Sequence, residues 1–545
     1  MSGRSILHIP QIADIKHITL SQKLITMKHI FTTLLLGLIA VGGATGCTNK
    51  VENVKPVVIE IPNNVFRVNE NGGEFATDYT IDIETELEVV YTEEWIDNVE
   101  LSEGKVLFSI LPNDTDAARE TTITLKSGSS RANIFIAQCE PSKRFEVFPL
   151  PDPNAIPYRI PAIAVAQDGT LVCAADYRHS GTDIGVTHNG RIDLHYRLSY
   201  DNGATWTEIK TLINGQGAAS TDFMHVGFGD PAIVADRTSN RVLMLSCAGN
   251  VSFQNGTRQQ HQNVARFYSE DGGKTWGEPD DIAESIYSQF DQSNYGPIRS
   301  MFIASGAIYQ SRHVKTGEYY RLYCAILART PNATHMNYVL YSDDFGGTWR
   351  VLGDINTPAV YRTADEAKVV ELPNGSLLIS SRYNGGRYYN IFSFTDEAAA
   401  TGTWMTASFS GAENNGVTAL DNSTNGEVML LPVVRQSDGE KMHILLQSLP
   451  LGPNRKNVGI YYKVLETDMD YISTSAVASK WDGVKQITEL NSAYSTMAWQ
   501  ADNRIGFLFE EETHGASNYA YGGYTILYHS YTIEQITDNL YRHAE

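Results

Sequence analysis

The chain has 545 residues, of which 42% are hydrophobic and 10% aromatic, and its formal net charge is −21. This length exceeds what one ordinary hydrophobic core supports, so two or more domains are expected. The negative charge argues against nucleic acid or an anionic membrane surface as a partner. Twenty-nine Tyr and 44 Gly favour a β-rich, turn-rich protein. Five scattered Cys predict neither a disulfide framework nor a zinc site.

The N-terminal segment predicts export. Met-Lys-His at residues 27–29 precedes an apolar run, residues 30–44, that is too short to span a bilayer and has the size of a signal-peptide core. The run ends in Ala-Thr-Gly-Cys, and small residues directly before a Cys resemble a bacterial lipobox. We predict a signal segment over residues 1–47 and a lipidated Cys47, which would place the protein in the periplasm, on the outer membrane or at the cell surface. Ordinary signal cleavage near Cys47 is the alternative.

Residues 48–142 alternate short β-type runs with turns, which predicts a small β-sandwich. Trp95, the Pro-Asn pair at 112–113, Arg119 and the closing Ile-Ala-Gln at 136–138 resemble the BACON modules of Bacteroidetes glycan-degrading enzymes. That resemblance implies a module that binds carbohydrate or mucin, or one that spaces the enzyme from the cell surface. Trp95 is interpreted as a core residue, and a sugar-stacking platform is the alternative.

An octet of the form S-x-D-x-G-x-T-W occurs three times, at residues 199–206, 269–276 and 342–349. The starts of the copies lie 70 and 73 residues apart, and such a period indicates a propeller, a solenoid or an array. Asp and Asn can bond back to turn amides, Gly accepts a positive φ, and Trp packs between sheets, so each octet predicts a hairpin. A calcium loop is the weaker interpretation, because each copy lacks a distal Glu.

The repeat period also predicts the architecture of the larger domain. Residues 143–545 form a stretch of about 400 residues, which at roughly 70 per unit makes six blades of four strands each. The predicted fold is therefore all-β, a six-bladed β-propeller preceded by a small β-sandwich module. Helix is expected in short insertions and near the end of the chain.

Three Arg residues lie in distinctive settings, although each of them taken singly is more often a surface ion-pair partner. Arg159, in Tyr-Arg-Ile-Pro, lies between apolar residues at a strand start, which is costly unless the Arg meets an anion. Arg382 follows a strand in Leu-Ile-Ser-Ser-Arg, and Arg455 lies in Leu-Gly-Pro-Asn-Arg. Guanidiniums that converge on one carboxylate give charge-assisted, partly bidentate hydrogen bonds, which Lys cannot supply. Arg435 occupies a similar position after a strand and is the alternative to Arg455.

The octets, known as Asp boxes, and the Tyr-Arg-Ile-Pro element resemble those of the bacterial exo-α-sialidase (neuraminidase) family over residues 145–545. The resemblance implies a propeller whose boxes lie on the face remote from the active site. It implies hydrolysis of terminal sialic acids from glycoproteins, glycolipids and oligosaccharides. It also makes Arg159, Arg382 and Arg455 a substrate-binding triad for the sugar carboxylate.

Two further elements carry residues of the same family pattern. In Ala-Asp-Tyr-Arg-His-Ser-Gly-Thr-Asp, the resemblance implies that Arg178 binds substrate and that Asp183 is the general acid/base. Asp176 competes with Asp183 for this role, but it continues an apolar strand and is interpreted as structural. The Gly-Asp-Pro element supplies Asp230, a substrate-binding residue near the sugar amide or the Arg residues.

The remaining family positions are Glu366, Tyr494 and Glu510. Alternation in Asp-Glu-Ala-Lys-Val puts Glu366 and Lys368 on one strand face. The resemblance implies that Glu366 faces Tyr494, in Ala-Tyr-Ser-Thr-Met, and that Glu510 supports the first Arg of the triad. Glu371 is the alternative to Glu366 and is expected to be exposed near a turn.

The substrate chemistry explains why a Tyr is needed. Most glycosidases use two carboxylates, and sialidases with a Tyr nucleophile are a known exception. A sialic acid carries its own carboxylate on the anomeric carbon, which would repel a carboxylate nucleophile. The predicted sequence is that Glu366 deprotonates Tyr494, Tyr494 attacks, and Asp183 protonates the leaving oxygen and then activates water, with net retention.

Sialylated glycans are the predicted partners, and the membrane is a partner only through an anchor at Cys47. No cofactor and no catalytic metal are predicted, and a structural calcium ion stays open. A trans-sialidase with the same residues is one alternative. A non-catalytic propeller that binds sialoglycans is another, and it would be expected to lack one or more of Asp183, Glu366 and Tyr494.

Overall fold

The computed structural model describes residues 56–115, 117–141, 143–422, 424–514 and 523–544, without the side chains of Arg67 and Lys143. The predicted signal segment and Cys47 lie outside the described residues. The chain from residue 56 onward forms one compact unit, in which a sandwich of two sheets is followed by a ring of six. None of the helices within these ranges is long and apolar enough to cross a membrane.

The sandwich pairs a four-stranded sheet, in the order β2-β9-β8-β5, with a three-stranded sheet, β3-β7-β6, and β1 pairs with β4. Alternate residues of its strands are buried, as in β7, where Val106, Phe108 and Ile110 face the core. The strands are β1 (Ile59–Glu60), β2 (Val65–Val68), β3 (Gly73–Asp78), β4 (Thr80–Ile81), β5 (Glu88–Val90), β6 (Ile96–Ser102), β7 (Lys105–Ile110), β8 (Arg119–Ser127) and β9 (Ser130–Gln138).

Trp95 packs against this core, and the guanidinium carbon of Arg119 lies 4.4 Å from the centroid of its ring. Arg119 is fixed there because it donates hydrogen bonds to the carbonyl oxygens of Leu111 (2.9 Å) and Pro112 (3.0 Å). The core on one side and a guanidinium on the other leave no open ring face for a sugar to stack on. The structure therefore favours the core interpretation of Trp95.

Six sheets follow, antiparallel except for one pair of strands in blade 2, and we number them as blades 1 to 6 in chain order. After β10 (Lys143–Phe148), blades 1 and 2 are formed by β11 (Tyr158–Val165), β12 (Leu171–Arg178), β13 (Ile192–Ser199), β14 (Lys210–Ile213), and by β15 (Phe228–Ala235), β16 (Val242–Ala248), β17 (Asn263–Ser269) and β18 (Asp280–Asp281). Blade 3 comprises β19 (Ser300–Ile303), β21 (Tyr309–Thr316), β22 (Tyr319–Arg329), β23 (His335–Ser342), β24 (Arg350–Val351) and β25 (Val360–Tyr361), while β20 (Gly306–Ala307) joins β15 of blade 2.

Blades 4, 5 and 6 complete the ring, and their first strands line a central cavity together with β11, β15, β20 and β21. Their strands are β26 (Ala367–Glu371), β27 (Leu377–Tyr383), β28 (Gly386–Asp396), β29 (Thr401–Trp404) and β30 (Ser408–Ser410) in blade 4, β31 (Val428–Arg435), β32 (Lys441–Pro450), β33 (Val458–Leu465) and β34 (Gly483–Gln486) in blade 5, and β35 (Ser492–Trp499), β36 (Ile505–Glu511) and β37 (Thr525–Tyr531) in blade 6.

The ring closes by pairing the two ends of the domain. β10 pairs with β37 and becomes the outer strand of blade 6, while the last strand, β38 (Tyr541–His543), pairs with β31 of blade 5. The helices are short: α1 (Ala283–Tyr287), α2 (Thr474–Ala478) and α3 (Ile533–Ile536). The predicted six-bladed, all-β fold with helix in short insertions is thus present.

The octets form the turns from β13 to β14 in blade 1, from β17 to β18 in blade 2 and from β23 to β24 in blade 3. In the first copy, the amide of Gly203 donates to Ser199 Oγ (2.8 Å), and the amide and hydroxyl of Thr205 donate to the two carboxylate oxygens of Asp201 (2.8 and 2.6 Å). The second and third copies repeat these bonds. Each Asp therefore stabilises the turn of its own octet through hydrogen bonds, which agrees with the predicted hairpin.

Polar contacts join the sandwich to the propeller within this unit. Asn539, which follows α3, donates to the carbonyl oxygen of Val68 (3.0 Å) and accepts from the Cys139 thiol (3.3 Å). Arg504, between β35 and β36, forms an ion pair of 2.7 Å with Glu140. The segment that connects the two domains is therefore held against blade 6. Cys139, Cys173, Cys247 and Cys324 are all buried free thiols.

Candidate active site

The antiparallel order of the strands brings the predicted site residues to one face of the ring. In such a sheet the start of the first strand, the end of the second and the loop to the third share a face, while the turn to the fourth lies on the other. The Asp boxes are therefore on the remote face, as the family resemblance implied. The residues on the near face are Arg159, Arg178, Asp183, Asp230, Glu366, Arg382, Arg455, Tyr494 and Glu510.

Tyr494 and Glu366 meet across the central axis. The Tyr494 hydroxyl lies 3.0 Å from Glu366 Oε2 and 3.1 Å from Oε1, and it accepts a hydrogen bond from Arg382 Nη1 at 3.1 Å. The same Arg382 nitrogen lies 2.5 Å from Glu366 Oε2. The phenol hydrogen thus points at a carboxylate, which is the geometry that a base needs to take the proton.

Burial changes the proton affinity of both partners. It raises the pKa of Glu366 above its ordinary value, while the charge of Arg382 opposes this shift. Burial and the negative charge of Glu366 raise the pKa of Tyr494. A more basic Glu366 is better able to accept the phenol proton, and the neutral Tyr494 presents no charge to an approaching anion.

Three guanidiniums surround Tyr494. The central carbons of Arg159 and Arg455 each lie 5.9 Å from the centroid of the Tyr494 ring, and Arg382 contacts its hydroxyl. The three Arg residues predicted as a triad are therefore brought together from blades 1, 4 and 5. The alternative, Arg435, pairs on the surface with Asp438 (2.9 Å) and with Glu466, away from this group.

Glu510 holds Arg159 in place. It is fully buried and accepts hydrogen bonds from Arg159 Nε (2.8 Å) and from the amides of Ile160 (2.8 Å) and Tyr494 (3.0 Å). Ile160 has a φ of 57°, a strained value for a β-branched residue, at a break in the register between β11 and β12. One carboxylate thus fixes the strained strand start, the first Arg and the nucleophile candidate.

The first strand of blade 2 begins with the same backbone irregularity as the first strand of blade 1. Asp230 has a φ of 54°, also directly before a Pro, at a register break between β15 and β16. The bulge turns the Asp230 side chain toward Arg178, whose Nη2 lies 3.6 Å from Asp230 Oδ1. The equivalent bulges of blades 1 and 2 therefore present an Arg and an Asp to the same site.

The Arg178 guanidinium lies among several Asp carboxylates. It is buried, lies 2.7 Å from Asp176 Oδ2, and contacts Asp183, whose side chain is 69% exposed. The Arg178 charge lowers the pKa of Asp183, whereas burial raises the pKa of Asp176 to about 6. The Asp176 carboxylate also accepts a hydrogen bond from the amide of Asp230 (2.8 Å), so Asp176 has a structural role. Asp183, in contrast, lines the cavity described in the next paragraph.

A cavity of about 270 Å³ lies beside these residues. Asp183, Asp230, Glu366, Arg382 and Tyr494 form one side of it. The other side consists of residues that the sequence did not reveal, because they come from the loop after β16 and from blade 3 with no repeated spacing. They are Ser252, Phe253, Gln254, Gln262, Phe302, Leu327 and His335, next to Ile184 and Val186.

The expectation for Glu371 is wrong. It is buried rather than exposed, and it accepts hydrogen bonds from the Ser311 hydroxyl and from the amide of Arg312 (2.7 Å). The neighbouring strand β21 covers the end of β26, so the turn that follows does not bring Glu371 to the surface. Among the described residues, no cluster of His, Cys, Asp and Glu could hold a metal ion.

Comparison with known proteins finds sequence similarity to sialidases, although no family model matches the chain. The sequence is 27% identical over 370 residues to a sialidase of Micromonospora viridifaciens, which covers 65% of this chain and 50% of that protein. It is 26% identical over 249 residues to a sialidase of Bacteroides fragilis, which covers 43% and 41%. The chain therefore spans about half the length, or less, of these curated relatives.

Solved structures show the same fold. A Hadza microbial sialidase covers 88% of this chain and 93% of its own at a TM-score of 0.54 and 17% identity. An intramolecular trans-sialidase from Ruminococcus gnavus covers 70% and 95% at a TM-score of 0.51 and 17% identity. The all-β propeller and the resemblance to bacterial sialidases are confirmed, and the relatives support a glycoside hydrolase.

Proposed function

We propose that the protein is an exo-α-sialidase that releases terminal sialic acids from glycoproteins, glycolipids and oligosaccharides. The observation that carries this proposal is the Tyr494 hydroxyl, 3.0 Å from Glu366 and enclosed by three Arg residues. A phenol nucleophile beside three guanidiniums suits a substrate with a carboxylate on the reacting carbon.

The proposed reaction retains the anomeric configuration. Arg159, Arg382 and Arg455 bind the sugar carboxylate, with Glu510 orienting the first. Glu366 takes the proton of Tyr494 as the phenol oxygen attacks the anomeric carbon, and Asp183 gives its proton to the leaving oxygen. Asp183 then removes a proton from a water molecule on the face that the leaving group occupied, and this water attacks the anomeric carbon while Glu366 returns its proton to the departing Tyr494 oxygen. Arg178 and Asp230 position the ring substituents.

The test is release of a fluorogenic leaving group from an α-sialoside, followed by analysis of the sugar product. Wild-type protein is expected to turn over and to yield free sialic acid with retained configuration in the first product. If the protein were a trans-sialidase, it would transfer the sialic acid to added lactose. An intramolecular transfer would give an anhydro sugar. Binding of sialyllactose without any turnover would instead support a non-catalytic propeller that binds sialoglycans.

The lowered pKa of Asp183 predicts how the rate depends on pH. Because Arg178 stabilises the Asp183 carboxylate, the protonated form falls about tenfold for each pH unit above that pKa. For sialyllactose, whose leaving group needs an acid, kcat/KM should therefore decline steadily as the pH rises. An aryl sialoside with a good leaving group should show a much flatter profile.

Asp183→Ala provides the matching control, since it should abolish this difference. The variant should lose about 10²–10⁴-fold in kcat/KM on sialyllactose and far less on the aryl sialoside. Equal losses on both substrates, or identical pH profiles in the wild type, would show that Asp183 is not the acid.

We further propose that the protein is exported and anchored through lipidated Cys47. The apolar run and the small residues before that Cys support this. Labelled palmitate should enter the wild type and not Cys47→Ala. Equal incorporation of palmitate into both proteins would show that Cys47 is not the lipidated residue.

A further inference from the structure

A buried carboxylate joins four parts of the propeller directly behind the site. Glu427, the residue before β31, lines the central cavity and is 2% exposed. Its Oε2 accepts hydrogen bonds from the amide of Ala307 (3.0 Å) and the hydroxyl of Thr496 (3.0 Å), and it lies 3.5 Å from Lys368 Nζ. Blade 5 is thereby linked to β20, to blade 4 and to blade 6.

Two of these contacts lie next to the reacting pair along the chain. Lys368 is two residues beyond Glu366 on the inner strand of blade 4, and Thr496 is two residues beyond Tyr494 on that of blade 6. Glu427 therefore connects the strand that carries the base with the strand that carries the nucleophile. Among the strands that the structure describes, no backbone pairing joins these two, because blades 4 and 6 are separate sheets.

Burying the ion pair of Lys368 and Glu427 costs desolvation free energy, so folding stability alone does not explain why the pair is present. Lys368 is 2% exposed, and its amino group forms no hydrogen bond, so the ion pair with Glu427 is its compensation. A buried ion pair of this kind contributes little net stability compared with apolar residues of the same size.

The backbone also leaves room for the pair. Gly306 has a φ of 96°, and a Cβ there would lie 2.5 Å from Lys368 Nζ and 3.0 Å from Glu427 Oε2. A side chain at this position would displace the amino group from the carboxylate. Space at the centre of the ring is thus reserved for the two charges.

We propose that Glu427 and Lys368 are positioning residues that keep the Tyr494 hydroxyl within hydrogen-bond reach of Glu366. The inference rests on the proposed function, since it concerns the same reacting pair. A misplacement of about 1 Å between reacting groups can cost about 10²-fold in rate, so a tie between their strands has a direct effect on kcat.

The test compares Lys368→Met, Glu427→Gln and the double variant by thermal unfolding and by steady-state kinetics on an aryl sialoside. Each single variant leaves one buried group without its partner and should unfold at a lower temperature. The double variant should regain most of that loss, because neither charge remains. Its kcat should nevertheless stay about tenfold or more below the wild type, with KM changed less than about threefold.

Recovery of kcat together with the unfolding temperature in the double variant would overturn the proposal, since the pair would then be merely structural. Arg321→Met is the matched control: Arg321 is fully buried, pairs with Asp343 at 2.7 Å and lies on the remote side of blades 3 and 4. It should lower the unfolding temperature and leave kcat unchanged.

A milder variant covers the case in which the charged ones do not fold. Thr496→Val keeps the shape of the side chain and removes only its bond to Glu427, and it should lower kcat about three- to tenfold at unchanged KM. Thr474→Val, which removes the bonds of the Thr474 hydroxyl to the carbonyl oxygen of Thr406 (2.7 Å) and to the Ser408 hydroxyl (2.8 Å), should not. Equal kcat in these two variants would contradict the inference, whereas an inactive wild type would contradict the proposed function instead.

Discussion

Tyr494→Phe should lower kcat by at least about 10³-fold while changing KM less than about tenfold. The phenyl ring keeps its place between Arg159 and Arg455, each 5.9 Å from its centroid, so the pocket for the sugar carboxylate should survive. The lost oxygen is the one that lies 3.0 Å from Glu366, and without it no bond to the anomeric carbon can form by the proposed route. Burst kinetics on an aryl sialoside would measure the step directly.

Tyr461→Phe is the matched control. Tyr461 lies on β33 of blade 5, outside the site, and its hydroxyl donates a long hydrogen bond of 3.4 Å to the carbonyl oxygen of Thr418. Its kcat should equal that of the wild type. A kcat within tenfold of wild type for Tyr494→Phe would remove Tyr494 from the nucleophile role, because residual catalysis of that size exceeds what binding and the acid can supply.

Glu510→Leu should be damaging in two ways at once. The substitution leaves Arg159 with an uncompensated buried charge and two amides, of Ile160 and Tyr494, without their acceptor. Removing one partner of a buried ion pair typically costs about 3–5 kcal/mol of folding free energy. Since Arg159 would no longer be aimed at the carboxylate, kcat/KM should also fall by more than about 10²-fold, chiefly through KM.

The next residue along the strand gives the control. Glu511 makes only a long contact of 3.5 Å to the exposed Arg144, and Glu511→Gln keeps the size of the largely buried side chain, so it should change stability by less than about 1 kcal/mol. Denaturant titration and sialyllactose kinetics would compare the two variants. An unchanged KM in folded Glu510→Leu would mean that Arg159 is oriented without Glu510.

The architecture was predictable because the sequence repeats. The octets give the blade period, and their Asp, Gly and Trp each have one physical task in the hairpin, so six blades follow from arithmetic. The spare strands were not predictable in this way. β20, β25, β30 and β38 have two or three residues each, which is too short for a hydrophobic pattern to mark them as strands.

The site could be predicted residue by residue only through the family resemblance. Glu366 and Tyr494 are 128 residues apart, and nothing in their local sequence says that they touch. The aromatic wall of the cavity, with Phe253, Phe302 and His335, was missed since irregular loops and separate strands supply it. Glu371 was misjudged because its burial depends on β21, which lies about 60 residues earlier in the chain.

The closure of the ring sets an order of events during synthesis. β10 is made first among the propeller strands, but its partner β37 lies more than 370 residues later. Contacts of such long range form slowly, so β10 and the open edges of the earlier blades would wait unpaired until nearly the whole chain has been made. A truncated chain that ends before Thr525 could not seal blade 6, and we expect it to depend on chaperones or be degraded rather than survive as a smaller propeller.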